Sequence, residues 1–180
     1  MQVHKQKNIF LVGPMGSGKS TIGYLLSTQL NMKFYDVDQE AETRAGLSIC
    51  DIFNLKGEPE FRIQEEKIIK ELTGEKGIIL ATGGGSIMSL KSRNLLSSRG
   101  IVIYLRTTIH EQLKRVSTNK NRPLLSQNHE ISKKTLSSLL EVRSPLYRDI
   151  ANIIIDTSNR KSGLIISNLL YDLNEFSIFF

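Results

Sequence analysis

The segment Gly13-Pro14-Met15-Gly16-Ser17-Gly18-Lys19-Ser20 constrains this chain more than any other. It follows the apolar run Ile9, Phe10, Leu11, Val12 and leads into Ile22, Leu25, Leu26 and Leu30, which recur at helical spacing. Such a series predicts a strand, an anion-wrapping loop and a helix over 19–30 whose positive end faces that loop. The glycines let the backbone close around phosphate with its N–H groups turned inward. Lys19 is then placed to bridge β- and γ-phosphates, and Ser20 to offer its hydroxyl to Mg²⁺.

The rest of the chain repeats the alternation. Strand-like runs at 8–12, 33–37, 77–81, 101–105 and 152–156 are each followed by a loop rich in Gly, Asp, Thr or Ser. Between them lie helical patterns at 58–72, 91–98, 109–117, 132–143 and 161–173. This is an α/β pattern, a five-stranded parallel sheet sandwiched by helices, with ligand loops at the carboxyl ends of its strands. The 180 residues fit one domain over 1–180. Two stretches break the pattern: 38–62, interrupted by Gly46, Gly57 and Pro59, and the polar 118–130, which contains Arg122-Pro123. Both are expected to be mobile flaps over the sheet edge.

Composition narrows the function. With 39% hydrophobic and 23% charged residues the chain is globular rather than disordered or fibrous. No apolar run approaches the roughly 20 residues of a membrane helix, and the N-terminus has no apolar targeting stretch, so the expectation is cytoplasmic, with no membrane partner. Cys50 is alone, and His4, His110 and His129 lack ligand spacing, which argues against disulfides and zinc. The net charge of +6 suits nucleic acid, acidic membranes or small anions. The basic residues are scattered and Trp is absent, so small anions are favoured and no nucleic acid is expected.

Other residues carry weaker signals. Asp36 and Asp38 close the second strand as Phe-Tyr-Asp-Val-Asp, so period two predicts that both project to one face near the phosphate loop. One carboxylate would serve Mg²⁺ through water and the other an acceptor hydroxyl; a solvated strand-end turn is an equal reading of the spacing. The third strand ends without an aspartate, which makes Asp36 the candidate metal carboxylate. Gly83-Gly84-Gly85 permits close backbone approach to a ligand, or is simply a flexible connection. Arg62, Arg122 and Arg143 suit bidentate anion contacts, although each taken singly reads as a surface ion-pair residue.

Together these segments, with Glu-x-x-Phe61-Arg62, Arg122-Pro-Leu-Leu and Arg143-Ser-Pro-Leu-Tyr147, resemble shikimate kinase from about Lys7 to about Asp156. The resemblance implies a P-loop kinase fold like that of nucleoside monophosphate kinases, strand order 2-3-1-4-5, a substrate-binding insertion at about 38–65 and a lid at about 117–131. It implies transfer of the γ-phosphoryl of ATP to the 3-hydroxyl of shikimate, on the way to chorismate and aromatic amino acids, with Mg²⁺ as cofactor. Carried over, Asp38 binds the shikimate hydroxyls and orients or deprotonates the attacking one, while Arg62, Arg143, Gly83 and a Gly84 N–H hold ring and carboxylate. Gly16, Ser17, Gly18, Lys19, Ser20 and Thr21 wrap the nucleotide, Ser20 and Asp36 serve the metal, and Arg122 is the lid arginine on the ATP phosphates. Arg115 falls over the adenine, with 156–160 completing that pocket.

Two alternatives remain at this stage. A P-loop kinase of another small hydroxy acid, such as gluconate, would keep the P-loop and lid but would not need Asp38, Arg62, the glycine triplet and Arg143 together. A nucleotide sensor or nucleic-acid binder would not need Lys19, Ser20, Asp38 and Arg122 intact. With no long apolar patch or heptad pattern, a monomer is expected. Cys50 reads as a small buried apolar residue, and the aromatic tail after Leu173 matches no part of the family pattern.

Overall fold

The computed structural model describes residues 7–116 and 129–175. Strands β1 (Asn8–Val12), β2 (Lys33–Asp36), β3 (Ile78–Ala81), β4 (Gly100–Arg106) and β5 (Ile153–Asp156) form one parallel sheet in the order β2-β3-β1-β4-β5. The order is the expected one. Central strands covered on both faces read as unbroken apolar runs, and Ile9, Phe10, Leu11 and Val12 are all buried.

Alternation along β1 feeds two separate cores. Phe10 and Val12 join Leu80, Val102 and Tyr104 in one layer, while Ile9 and Leu11 join Ile79, Ile101 and Ile103 in the other. The first layer is closed by α2 (Val37–Ala45), α3 (Ile49–Leu72), α4 (Leu90–Arg99) and α6 (His129–Ile150). The second is closed by α1 (Lys19–Leu30) and α7 (Ser162–Glu175). A third, smaller cluster joins Met15 to Val116 of α5 (Ile109–Val116) and Leu136 of α6.

Strand order sets where a ligand can bind. The chain runs from β1 outward to β2, returns to β3 and then passes β1 to reach β4, so the crevice opens at the carboxyl end of β1. The P-loop leaves β1 there, and Gly83-Gly84-Gly85 leaves the neighbouring β3.

The segment 38–62 is not irregular: apart from 46–48 it is helical, and β2 ends at Asp36 rather than at Val37. The Asp36 carboxylate caps α2 by accepting from Asp38 N at 3.0 Å and Gln39 N at 3.4 Å, while Val37 and Ala41 drive one side of the helix into the core. Ser48 caps α3 through Asp51 N at 3.1 Å, and Ile52 is fully buried. The breakers act locally. Gly57, at φ 79° and ψ 163°, divides α3 into two runs, with Pro59 at the start of the second, where a missing N–H costs little. Helix α6 extends beyond the expected 132–143 at both ends and contains Pro145. Cys50 lies on α3 and is only half-buried. The lid assignment falls largely on 117–128, and that part lies outside the described residues, as do 176–180 of the tail. Among the described residues no helix is long and apolar enough to cross a membrane.

Candidate active site

The phosphate loop is built by constraints on both of its sides. At Gly13, with φ 146°, the Leu105 carbonyl lies so close that any Cβ would collide with it. Gly18 caps α1 in the left-handed region at φ 93°, which leaves the first N–H groups of the helix facing the loop. Lys19 is buried, and its Nζ donates to the carbonyls of Gly13 and Pro14 at 2.8 Å each. Ser17 is buried as well, whereas Ser20 and Thr21 are exposed on the first turn of α1.

Asp36 joins the loop to β2. Ser20 Oγ donates to Asp36 Oδ2 at 2.5 Å, while Asp36 Oδ1 caps α2. The expectation that Asp36 and Asp38 project to one face of a strand is not met, because β2 ends at Asp36 and Asp38 is helical. Asp38 lies in the first turn of α2, yet it still reaches the site: its Oδ1 is 2.8 Å from the point a Cβ on Gly83 would occupy. Two adjacent oxygen donors, Ser20 and Asp36, suit a hard cation such as Mg²⁺. Among the described residues no cluster of three His, Cys, Asp or Glu side chains could hold a metal, so further ligands would come from nucleotide oxygens and water.

On the other side of the glycine triplet, α3 carries Arg62 and Glu65 one turn apart. Glu65 is only 2% exposed; it accepts from Arg62 Nη1 at 2.8 Å and from Ser86 Oγ at 2.5 Å. Glu58 binds the outer edge of the same guanidinium at 2.8 Å. Burial works against the Arg62 charge, but Glu65 and Glu58 outweigh it and hold the guanidinium above its ordinary range. The guanidinium lies directly over Gly85, where a Cβ would overlap it. Arg62, Glu65, Gly85 and Arg143 line one open depression of about 450 Å³.

Arg143 and Tyr147 reach this region from successive turns of α6. Both donate to the Gly84 carbonyl, Tyr147 Oη at 2.6 Å and Arg143 Nη1 at 3.3 Å. Burial pushes the Tyr147 phenol far above its usual range, so it remains a neutral donor. The triplet also adjoins the P-loop, since a Cβ on Gly84 would lie 3.4 Å from Met15 N.

Arg115 closes the far end of the P-loop. It donates to Gly16 O at 2.9 Å and Thr157 O at 2.7 Å, and pairs with Glu111 at 3.4 Å. Thr157 Oγ1 in turn donates to Ser17 O at 3.0 Å, so the loop after β5 is tied to the P-loop. Arg115 thus meets the 156–160 loop at Thr157.

The structure thus gathers Gly16 to Thr21, Asp36, Asp38, Arg62, Gly83, Gly84, Arg115 and Arg143 around one crevice, while Arg122 lies outside the described residues. Sequence reasoning gave no role to Glu65 or Ser86, quoted Tyr147 only as the end of the Arg143-Ser-Pro-Leu-Tyr147 motif, and took in Thr157 only as part of 156–160. Glu65 was detectable as an acid three residues after Arg62 on a helix, and Tyr147 as the residue four after Arg143. Ser86 gave no signal of its own, because loop residues meet partners that local spacing does not specify.

Known proteins agree with this geometry. The shikimate kinase family model matches residues 15–174. A shikimate kinase of Wigglesworthia glossinidia brevipalpis is 52% identical over 169 residues, 94% of this chain and 97% of the relative. One from Buchnera aphidicola subsp. Acyrthosiphon pisum is 50% identical over 171 residues, 95% of this chain and 98% of the relative. Among solved structures, the shikimate kinase from Acinetobacter baumannii in complex with shikimate superposes with a TM-score of 0.91 at 41% identity, covering 96% of this chain and 95% of that one. With the P-loop, the glycine triplet and both guanidinium groups in place, and with identity sustained over nearly its whole length, the chain belongs to the shikimate kinase family.

Proposed function

We propose that these residues divide the work of transferring the γ-phosphoryl of ATP to the 3-hydroxyl of shikimate, giving shikimate 3-phosphate and ADP. The observation that carries the division is the meeting of Arg62 and Arg143 on one depression whose glycine loop also touches Asp38. Shikimate carries a carboxylate and a polyol face. Two guanidinium groups bind a carboxylate bidentately, and Gly83 and Gly84 let the ring approach the backbone. Asp38 accepts the hydrogen bond of the attacking hydroxyl and orients it, receiving its proton as the bond to phosphorus forms.

On the nucleotide side, Gly16, Ser17, Gly18, Lys19, Ser20 and Thr21 wrap the phosphates. Lys19 exchanges its two carbonyl partners for β- and γ-phosphate oxygens. Mg²⁺, when bound, neutralises phosphate charge; Ser20 would hold it directly and Asp36 through water. Arg115 and the 156–160 loop flank the base, and Arg122 acts from the lid on the transferring group. Closing the lid would exclude water and suppress idle ATP hydrolysis. The same reading takes the chain as a cytoplasmic monomer with no nucleic-acid or membrane partner, supported by its scattered rather than clustered positive charge.

The test is ADP release with ATP and Mg²⁺ in the presence of shikimate, of gluconate or of no acceptor. Turnover that depends on shikimate is expected. Release that ignores shikimate would show that the arginines do not form an acceptor site.

Gly85→Ala gives a finer check. Its φ of −92° and ψ of −14° suit alanine, so the fold should survive. The new methyl must displace the Arg62 guanidinium, so we expect the shikimate KM to rise at least about fivefold with the ATP KM unchanged. An unaltered shikimate KM would show that Arg62 does not need its place over Gly85.

A further inference from the structure

We infer that Tyr147 is a positioning residue: its hydroxyl secures the Gly84 carbonyl so that Arg143 is free to leave that carbonyl for the substrate carboxylate. The inference rests on the acceptor reading given above.

One oxygen here meets two donors. Gly84 is half-buried, and its carbonyl accepts from Tyr147 at 2.6 Å and Arg143 at 3.3 Å; losing such a donor where the oxygen is partly shielded from water is costly. The tyrosine bond is short and the arginine bond long. Charge-assisted bonds to a carboxylate are stronger than a long bond to a neutral carbonyl, so an arriving carboxylate draws Arg143 away. Tyr147 then keeps the carbonyl satisfied. Without the hydroxyl, Arg143 would be the main donor to Gly84 O, and each binding event would strip that oxygen.

Tyr147 is well held for this task. Its side chain is fully buried and its ring stacks on Tyr104 of β4, with centroids 5.0 Å apart and planes at 28°. Tyr104 supplies an internal control, because its buried hydroxyl has no hydrogen-bond partner among the described residues. Phenylalanine at either position keeps the stack. Only the change at 147 removes a bond to the glycine loop.

Tyr147→Phe is therefore expected to raise the shikimate KM about five- to fiftyfold, with kcat within about threefold of wild type and the ATP KM unchanged. Tyr104→Phe should leave all three alone. In the ligand-free variant, amides 83–86 should exchange hydrogen faster at Tyr147→Phe while the amides of α6 keep their protection. A normal shikimate KM in an active Tyr147→Phe protein, a fall in kcat with KM unchanged, or unaltered exchange at 83–86 would overturn the inference alone. Absence of shikimate-dependent turnover in the wild-type protein would overturn the acceptor reading and this inference with it.

Discussion

Replacing Asp38 by asparagine is expected to lower kcat by about a hundred- to ten-thousandfold while leaving the ATP KM within about twofold. The substitution keeps size and shape and removes the charge and the proton acceptor. Asp38 lies against Gly83, across Asp36 from the P-loop serine, so the nucleotide loop should not sense the change. The α2 cap is also spared, because Asp38 enters it through its backbone N–H and the carboxylate belongs to Asp36. Steady-state kinetics with both substrates varied will decide; a kcat within threefold of wild type would remove Asp38 from the chemical step.

Arg62→Ala should raise the shikimate KM at least tenfold, since truncating one member of a buried charged pair costs about 2–5 kcal/mol. The structure predicts a second effect. Glu65, almost wholly buried, would keep only Ser86 as a hydrogen-bond partner among the described residues, so the variant should also melt lower. The two effects can be separated. Arg62→Ala combined with Glu65→Gln removes the stranded charge and should recover much of the lost stability without recovering KM. If stability and KM recovered together, the KM change would be a folding defect and Arg62 would not contact the substrate.

Much of this arrangement was legible in the sequence, for identifiable reasons. The strands were readable because residues buried on both faces leave unbroken apolar runs, as at Ile9 to Val12. The P-loop was readable because strand, glycine turn and helix are contiguous, so its chemistry is local. Helix α2 was not. Its residues are mostly polar, and its helicity comes from the Asp36 cap and from Val37 and Ala41 packing on a core assembled from distant strands. Arg62 and Arg143 were identified as candidate anion ligands from residue type, but the devices that hold them were not. Glu65 and Tyr147 act through Ser86 and Gly84, and those contacts join α3 and α6 to a loop 21 and 63 residues away along the chain.

The division of the core by the sheet also separates the two halves of the crevice. Phe61, Ile87 and Tyr147, which are or adjoin the residues on the acceptor side, belong to one layer. Ile22 and Leu26, which support the helix that follows the P-loop, belong to the other. The acceptor residues and the helix after the P-loop thus rest mainly on different layers, with the Met15–Leu136 cluster and the Asp36 cap of α2 joining them. Changes beneath α3 would therefore reach the acceptor side first, whereas changes beneath α6 would also be felt at the P-loop through Met15 and Leu136.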